Sequence, residues 1–126
     1  MMRIGIDAQS IAEVLEALVR HGDRYRRRIF TADEVEVSGG WAAEPDRSAR
    51  RLASRFAAKE AALKALQPTD RVPRWTEIEI VGGNQSQPAL RLTGVARVLA
   101  EDAGLTGFEL SLSRTADLAL AVVVAT

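Results

Sequence analysis

Between Asp46 and about Leu66 the chain carries its longest helical pattern, and every other periodic run is short enough to be packed around it. Asp46 suits an N-cap, and Leu52, Phe56, Leu63 and Leu66 fall near one face. The intervening turns are charged, and Gln67-Pro68 ends the helix. Upstream, Met2 to Ile6 reads as a short buried strand that ends at Asp7. Ser10-Ile11-Ala12-Glu13 is a capping box before Val14, Leu15, Leu18 and Val19 at helical spacing, and Gly22 stops that helix. A basic segment leads to Ile29 and Phe30 as an apolar anchor. Thr31-Ala32-Asp33-Glu34 then opens a second capped helix, which ends before Gly39-Gly40. Downstream, Trp75 to Val81 alternates as a strand, Gly82-Gly83-Asn84 turns, and Pro88 to Thr93 forms the hairpin partner. Val95 to Ala103 is a last helix closed by Gly104, followed by strands over Phe108 to Ser113 and Leu118 to Ala125. With no repeat and no low-complexity linker, the order β-α-α-α-β-β-α-β-β predicts one α+β domain over residues 1–126.

Composition removes several chemistries. The chain has no cysteine, which excludes a disulfide framework, a thiolate zinc site and a cysteine nucleophile; any metal must be held by oxygen or by His21. His21, the only histidine, lies at a helix end before Gly22 and reads as a surface residue. No apolar run approaches the roughly 18 to 20 residues of a membrane helix, and the start lacks the apolar stretch of a secretory signal, so the expected location is the cytoplasm, away from membranes. Seventeen basic side chains balance seventeen acidic ones, so no global basic field points to nucleic acid. Charge is instead local. Arg20, Arg24, Arg26, Arg27 and Arg28 crowd around Asp23, and Arg47, Arg50, Arg51, Arg55 and Lys59 form a second basic tract, a distribution suited to an acidic partner or a polyphosphate. Trp41 and Trp75 read as packing residues.

Two carboxylates stand out. Asp7 lies between a buried strand and a helix, where the backbone can aim its side chain into a cleft; the alternative is a turn residue or a helix cap, although Ser10 already reads as the cap. Glu60 and Lys64, at i and i+4, would alone be an ordinary solvated pair. Arg51, Arg55 and Lys59, however, form a stripe at i, i+4 and i+8 that sets cations beside the Glu60 carboxylate. Magnesium takes one or two carboxylates together with substrate phosphates and water, and Arg and Lys then meet the remaining phosphate charge.

Gly5-Ile6-Asp7, Arg28-Ile29-Phe30-Thr31-Ala32-Asp33-Glu34, the block from Arg55-Phe56-Ala57-Ala58-Lys59-Glu60 to Leu66, and Ser111-Leu112-Ser113 follow in the order and spacing of holo-acyl-carrier-protein synthases, small 4′-phosphopantetheinyl transferases. The chain resembles that family over nearly its whole length. The resemblance implies magnesium-dependent transfer of 4′-phosphopantetheine from coenzyme A to a serine of an apo acyl carrier protein, in fatty acid or polyketide biosynthesis, with release of 3′,5′-adenosine bisphosphate. It also implies a homotrimer with coenzyme A bound at subunit interfaces. By position, Asp7 and Glu60 would be the magnesium ligands, and Lys64 would complete the catalytic set by neutralising charge on the reacting phosphate. Arg47, Arg51, Arg55 and Lys59 would meet phosphates, the hairpin residues Gly82, Gly83 and Pro88 would approach the nucleotide, and Ser113, Arg114 and Thr115 would complete the coenzyme site.

This sequence departs from the family text at three places. Arg114 stands where a histidine is usual; it can bind phosphate but cannot titrate near neutral pH. Ser10 and Glu13 stand where Glu and Arg are usual, and Glu13 would repel an acidic carrier helix unless Arg20, Arg24, Arg26 and Arg27 compensate. The sequence leaves two alternatives open: a diverged member that binds a carrier protein or its pantetheine arm without transfer, or one that performs other chemistry on a carrier-bound thioester.

Overall fold

The computed structural model describes residues 1–126. The chain runs β1 (Arg3–Ser10), α1 (Ile11–His21), α2 (Asp23–Ile29), α3 (Ala32–Val37), α4 (Pro45–Leu66), a 3-10 turn (Trp75–Glu77), β2 (Ile78–Val81), β3 (Ala89–Leu92), α5 (Gly94–Asp102), β4 (Phe108–Arg114) and β5 (Leu118–Ala125). Strands β1, β5 and β4 form an antiparallel sheet in that order, and β2 and β3 form a separate hairpin. The mixed α+β class predicted from the sequence is the one observed. No helix is long and apolar enough to cross a membrane.

Local signals account for most boundaries, and the exceptions have physical reasons. The basic segment before Ile29 is itself a helix, α2, which buries Arg26 and Ile29. β1 does not end at Asp7: residues Asp7 to Ser10 continue the ladder against Ala121 to Leu118 of β5. The Trp75–Glu77 stretch coils into a 3-10 turn, so β2 begins only at Ile78. Helix α4 starts two residues earlier than expected, with Glu44 in place of Asp46 as N-cap and Pro45 in the first turn, where a missing N–H costs nothing. The capping box at Thr31 is complete: its Oγ1 accepts from Glu34 N at 3.2 Å and Glu34 Oε1 accepts from Thr31 N at 2.9 Å. At Ser10 only one limb forms, Glu13 N donating to Ser10 Oγ at 3.1 Å.

Small side chains let α4 lie close against the sheet. Ala57, Ala58, Ala61, Ala62 and Ala65 are fully buried in one apolar cluster with Leu110, Val123 and Ala125. Where β1 crosses the helix stands Gly5, and a Cβ there would run into the Ala61 carbonyl. A second cluster joins α1, α2, α3 and the first half of α4 through Val14, Leu18, Ile29, Phe30, Val35 and Leu52. Tyr25, Phe30, Phe56 and Trp75 extend it as a chain of edge-to-face rings with centroids 5.3 to 6.5 Å apart. Burial without a compensating charge pushes the Tyr25 hydroxyl up to about 12.

The interior also holds an ion pair. Lys59 and Glu34 are both 0% exposed and meet at 2.6 Å. Lys59 donates further to the carbonyls of Trp75 at 3.0 Å and Ile78 at 2.6 Å, while Glu34 Oε2 accepts from Ile80 N at 3.0 Å. Burial pulls the lysine ammonium down from its ordinary value, and Glu34 opposes that pull. The expectation that Lys59 meets phosphate is therefore corrected: its donors are consumed inside the protein. Removing one partner leaves an uncompensated buried charge, so Lys59→Met is expected to lower unfolding stability by about 3 kcal/mol. Urea denaturation at neutral pH checks this; a loss below about 1 kcal/mol would show that the pair does not hold α4 in place.

Candidate active site

Gly5 sets the geometry of the carboxylates. Side chains two residues apart on a strand share a face, so the close approach of Gly5 to Ala61 and Ala65 places Asp7 over the neighbouring turn of α4, where Glu60 and Lys64 stand. Lys64 Nζ donates to Asp7 Oδ1 at 3.2 Å and to the Ile6 carbonyl at 2.8 Å. Gln9 Nε2, two residues along the same strand, donates to Asp7 Oδ2 at 2.7 Å. Burial raises the Glu60 pKa above its usual value, the Asp7 charge raises it further, and Lys64 opposes both. The sequence pair Asp7 and Glu60 is thus a spatial pair, with Lys64 beside it. Two oxygen donors of this kind suit a hard divalent cation.

About five residues back along α4, roughly 7.5 Å of helix axis, lies a cationic hollow. It encloses about 260 Å³ and is lined by Arg51, Ser54, Arg55, Gly83, Asn84, Leu112, Ser113 and Arg114. Arg55 is buried, and its Nη2 donates to the Gly82 carbonyl at 2.6 Å, tying the helix to the β2–β3 turn. Gly82 and Gly83 have φ of 73° and 93°, the left-handed backbone that a turn of this shape requires. Asn84 Nδ2 donates to the Val37 carbonyl at 2.7 Å, which fixes the turn against the end of α3.

A second, more open hollow of about 720 Å³ adjoins the first and shares Arg51 and Arg114 with it. Arg47 and Arg50 line this one, beside Gly39, Ala42, Ala43 and Glu44. None of Arg47, Arg50, Arg51 and Arg114 forms a salt bridge. Partial burial lowers the Arg114 pKa, and the charges of Arg50 and Arg51 lower it further. Crowded arginines without counter-ions are an arrangement that an oligophosphate relieves.

Of the residues singled out in the sequence, Arg51, Arg55, Gly83, Ser113 and Arg114 line one hollow and Arg47 lines the other. Gly82 offers its carbonyl to Arg55, and Pro88 packs on the turn near Gly83. Thr115 Oγ1 accepts from the N–H groups of Asp117 and Leu118 and so caps the β4–β5 turn. Lys59 is not in the site at all. Sequence reasoning missed Ser54, Asn84, Arg50 and Gln9. Arg50 was visible as a member of the basic tract, whereas Gln9 carries no signal until β1 is seen to continue past Asp7.

Comparison with known proteins identifies the family. The family model described as the 4′-phosphopantetheinyl transferase superfamily matches residues 3–123. The holo-[acyl-carrier-protein] synthase of Chloroflexus aurantiacus is 39% identical over 137 residues, covering 99% of this chain and 98% of the relative. That of Alkalilimnicola ehrlichii is 40% identical over 122 residues, covering 96% and 93%. Among solved structures, the synthase of Chronobacterium ammoniagenes in complex with coenzyme A superposes with a TM-score of 0.82 at 28% identity, covering 99% of this chain and 96% of that one. The Helicobacter pylori synthase in complex with coenzyme A gives a TM-score of 0.80 at 26% identity, covering 98% and 99%. With the family model matched over residues 3–123 and a relative 39% identical over 99% of this sequence, the chain belongs to the 4′-phosphopantetheinyl transferase superfamily, among the holo-[acyl-carrier-protein] synthases.

Proposed function

We propose that the chain transfers 4′-phosphopantetheine from coenzyme A to a serine of an apo acyl carrier protein. The observation that carries this reading is the cluster of Asp7 on β1 with Glu60 and Lys64 on α4, the helix that also supplies Arg51 and Arg55 to the arginine-lined hollow. In the reaction the serine Oγ forms a bond to the pantetheine-side phosphorus, the bridging P–O bond breaks, and 3′,5′-adenosine bisphosphate leaves with the electron pair. The family relatives crystallised with coenzyme A support the donor, and their name supports the acceptor. A cytoplasmic location belongs to the same reading.

Asp7 and Glu60 fit a divalent cation such as magnesium, because Glu60 faces a like charge and has no hydrogen-bond or ion-pair partner of its own. Magnesium, when bound, neutralises pyrophosphate charge and orients the diphosphate. Lys64 adds a point charge for the phosphate oxygens, and Arg51, Arg55 and Arg114 hold the remaining phosphate charge in the hollow. A carboxylate of this pair, or a water beside it, would take the serine proton. Arg114 provides charge at the rim without titrating, so phosphate binding there keeps its strength across neutral pH.

The assembly in this reading is a homotrimer. On the outer sheet face Ile4 lies opposite Val124 and Ile6 opposite Val122, and Ile4 and Ile6 are 61% and 59% exposed in the single chain. An apolar face of this kind is suited to burial against copies of itself.

Three measurements test the reading. Incubation with coenzyme A, magnesium and apo carrier protein is expected to add about 340 Da to the carrier, the phosphopantetheine increment. Asp7→Ala and Glu60→Ala are expected to cut that rate at least about a hundredfold, and an unmodified carrier across a panel would refute the transfer. In the absence of metal, Glu60→Gln is expected to stabilise the fold. The folded chain holds the Glu60 proton more tightly than the unfolded chain, so ionisation costs stability above the raised folded pKa and nothing below the unfolded value of about 4.3. After solvent screening the gain should be about 0.5 kcal/mol at neutral pH, vanishing as the pH falls below that value; a loss of stability at neutral pH contradicts the like-charge pair. Finally, light scattering is expected to give three chains per particle for the native protein and one for Ile6→Glu, with transfer falling alongside.

A further inference from the structure

The chain has only two lysines, and they are held in opposite ways. Lys59 is sealed against Glu34, whereas the Lys64 side chain is 54% exposed and yet its ammonium is engaged by Asp7 Oδ1 and the Ile6 carbonyl. With Gln9 on Oδ2, both oxygens of Asp7 are occupied, while the adjacent Glu60 carboxylate has no partner. Each Asp7 oxygen keeps a second lone pair, so a divalent cation shared with Glu60 can reach either one, but at Oδ1 it meets the charge of the Lys64 ammonium and at Oδ2 only the neutral Gln9 amide.

The two holders differ in stiffness. Gln9 stands on the same strand and face as Asp7, and that strand is paired with β5 through both residues. Lys64 reaches Asp7 by a flexible four-carbon stem lying half in solvent, so its contact is the one that yields. An ammonium and a divalent cation on one carboxylate oxygen repel each other, and the stem can carry the ammonium elsewhere.

We propose that Lys64 is the resident counter-ion of Asp7 and is exchanged for the divalent cation. In the coenzyme-free protein the ammonium holds Oδ1; when cation and pyrophosphate enter, it moves to a phosphate oxygen, and Gln9 keeps Asp7 turned so that Oδ1 faces Glu60. The proposal rests on the transferase reading for the identity of the polyanion. Its consequence is coupling: the cation alone must displace Lys64 into water, whereas coenzyme A offers the ammonium a second anionic partner, so each ligand strengthens the other.

The test uses Mn2+ binding to the full chain, read by electron paramagnetic resonance without coenzyme A. Lys64→Met is expected to bind Mn2+ about fivefold more tightly than the native protein, the scale of one partly solvated ion pair. Coenzyme A is expected to tighten Mn2+ binding to the native protein by a larger factor than to the variant. Should the substitution disturb folding, the native protein answers alone. With 15N-labelled lysine, saturating Mg2+ is expected to move the Lys64 ammonium resonance and leave that of Lys59, the internal reference, in place. Equal or weaker Mn2+ binding by Lys64→Met, or a Lys64 resonance unmoved by Mg2+, overturns the exchange. Neither measurement uses a carrier protein, so a failed transfer with a moving Lys64 removes the transferase reading alone, and transfer with an unmoved Lys64 removes the exchange alone.

Discussion

The contact between Lys59 and Glu34 fixes how α4 is turned about its own axis, and the site follows from that rotation. Successive residues of a helix are about 100° apart, so once Lys59 points inward to the carbonyls of Trp75 and Ile78, Glu60 is directed a quarter-turn away, toward β1. Lys64, one turn further, joins it there. Arg55, one turn before Lys59 on the same side, is sent to the Gly82 carbonyl and the hairpin turn. A buried ion pair is a weak source of stability because desolvation offsets its attraction. Its value here is orientation: Glu34 joins α3 by its capping box, β2 through Ile80 N and α4 through Lys59, and no apolar residue could make those three connections at once.

Distance is set by a different device. Alanines along the buried face of α4 and Gly5 on β1 remove the side chains that would hold helix and sheet apart. That close approach lets a short aspartate side chain on β1 share a site with Glu60 and Lys64, which a larger residue at position 5 would prevent. Specific chemistry thus depends on residues that carry none.

The parts of the structure legible in the sequence are those governed by neighbours along the chain. The capping box at Thr31 and the glycine turn at Gly82-Gly83 need only local residues, and both are where the sequence puts them. The α+β order could be read from periodicity, but α2 could not, because five of its seven residues are charged and its apolar contact comes from Tyr25, Ile29 and the stem of Arg26. The cationic stripe through Arg51, Arg55 and Lys59 was real as spacing and misleading as chemistry. Spacing on a helix says which residues share a side, and only the tertiary partner, Glu34 on another helix, says that this side is covered at Lys59 and open at Arg51. The extension of β1 to Ser10 depends on a ladder with β5 at the far end of the chain, so the Gln9 contact with Asp7 could not be inferred from local pattern.

A chain with equal numbers of acidic and basic side chains can still present one strongly positive surface, provided the acids are placed elsewhere. Glu34 and Glu79 are turned toward the α3–hairpin contact, where Glu79 Oε2 accepts from Thr31 Oγ1 at 2.6 Å, and Glu16 and Glu101 are engaged with Arg20 and Arg97 within their own helices. Arg47, Arg50, Arg51 and Arg114 are left without such partners; burial lowers the Arg114 pKa, and the charges of Arg50 and Arg51 add to that lowering. The folded chain therefore has two unbalanced charges of opposite sign along α4: arginines without ion-pair partners around its first half, and a carboxylate pair shared with β1 and met by one lysine at its second. On the proposed reading a polyphosphate would satisfy the first and, through a divalent cation, the second. The protein's own ion pairs leave both ends unbalanced, so ligand and metal would each complete a balance that the fold holds open.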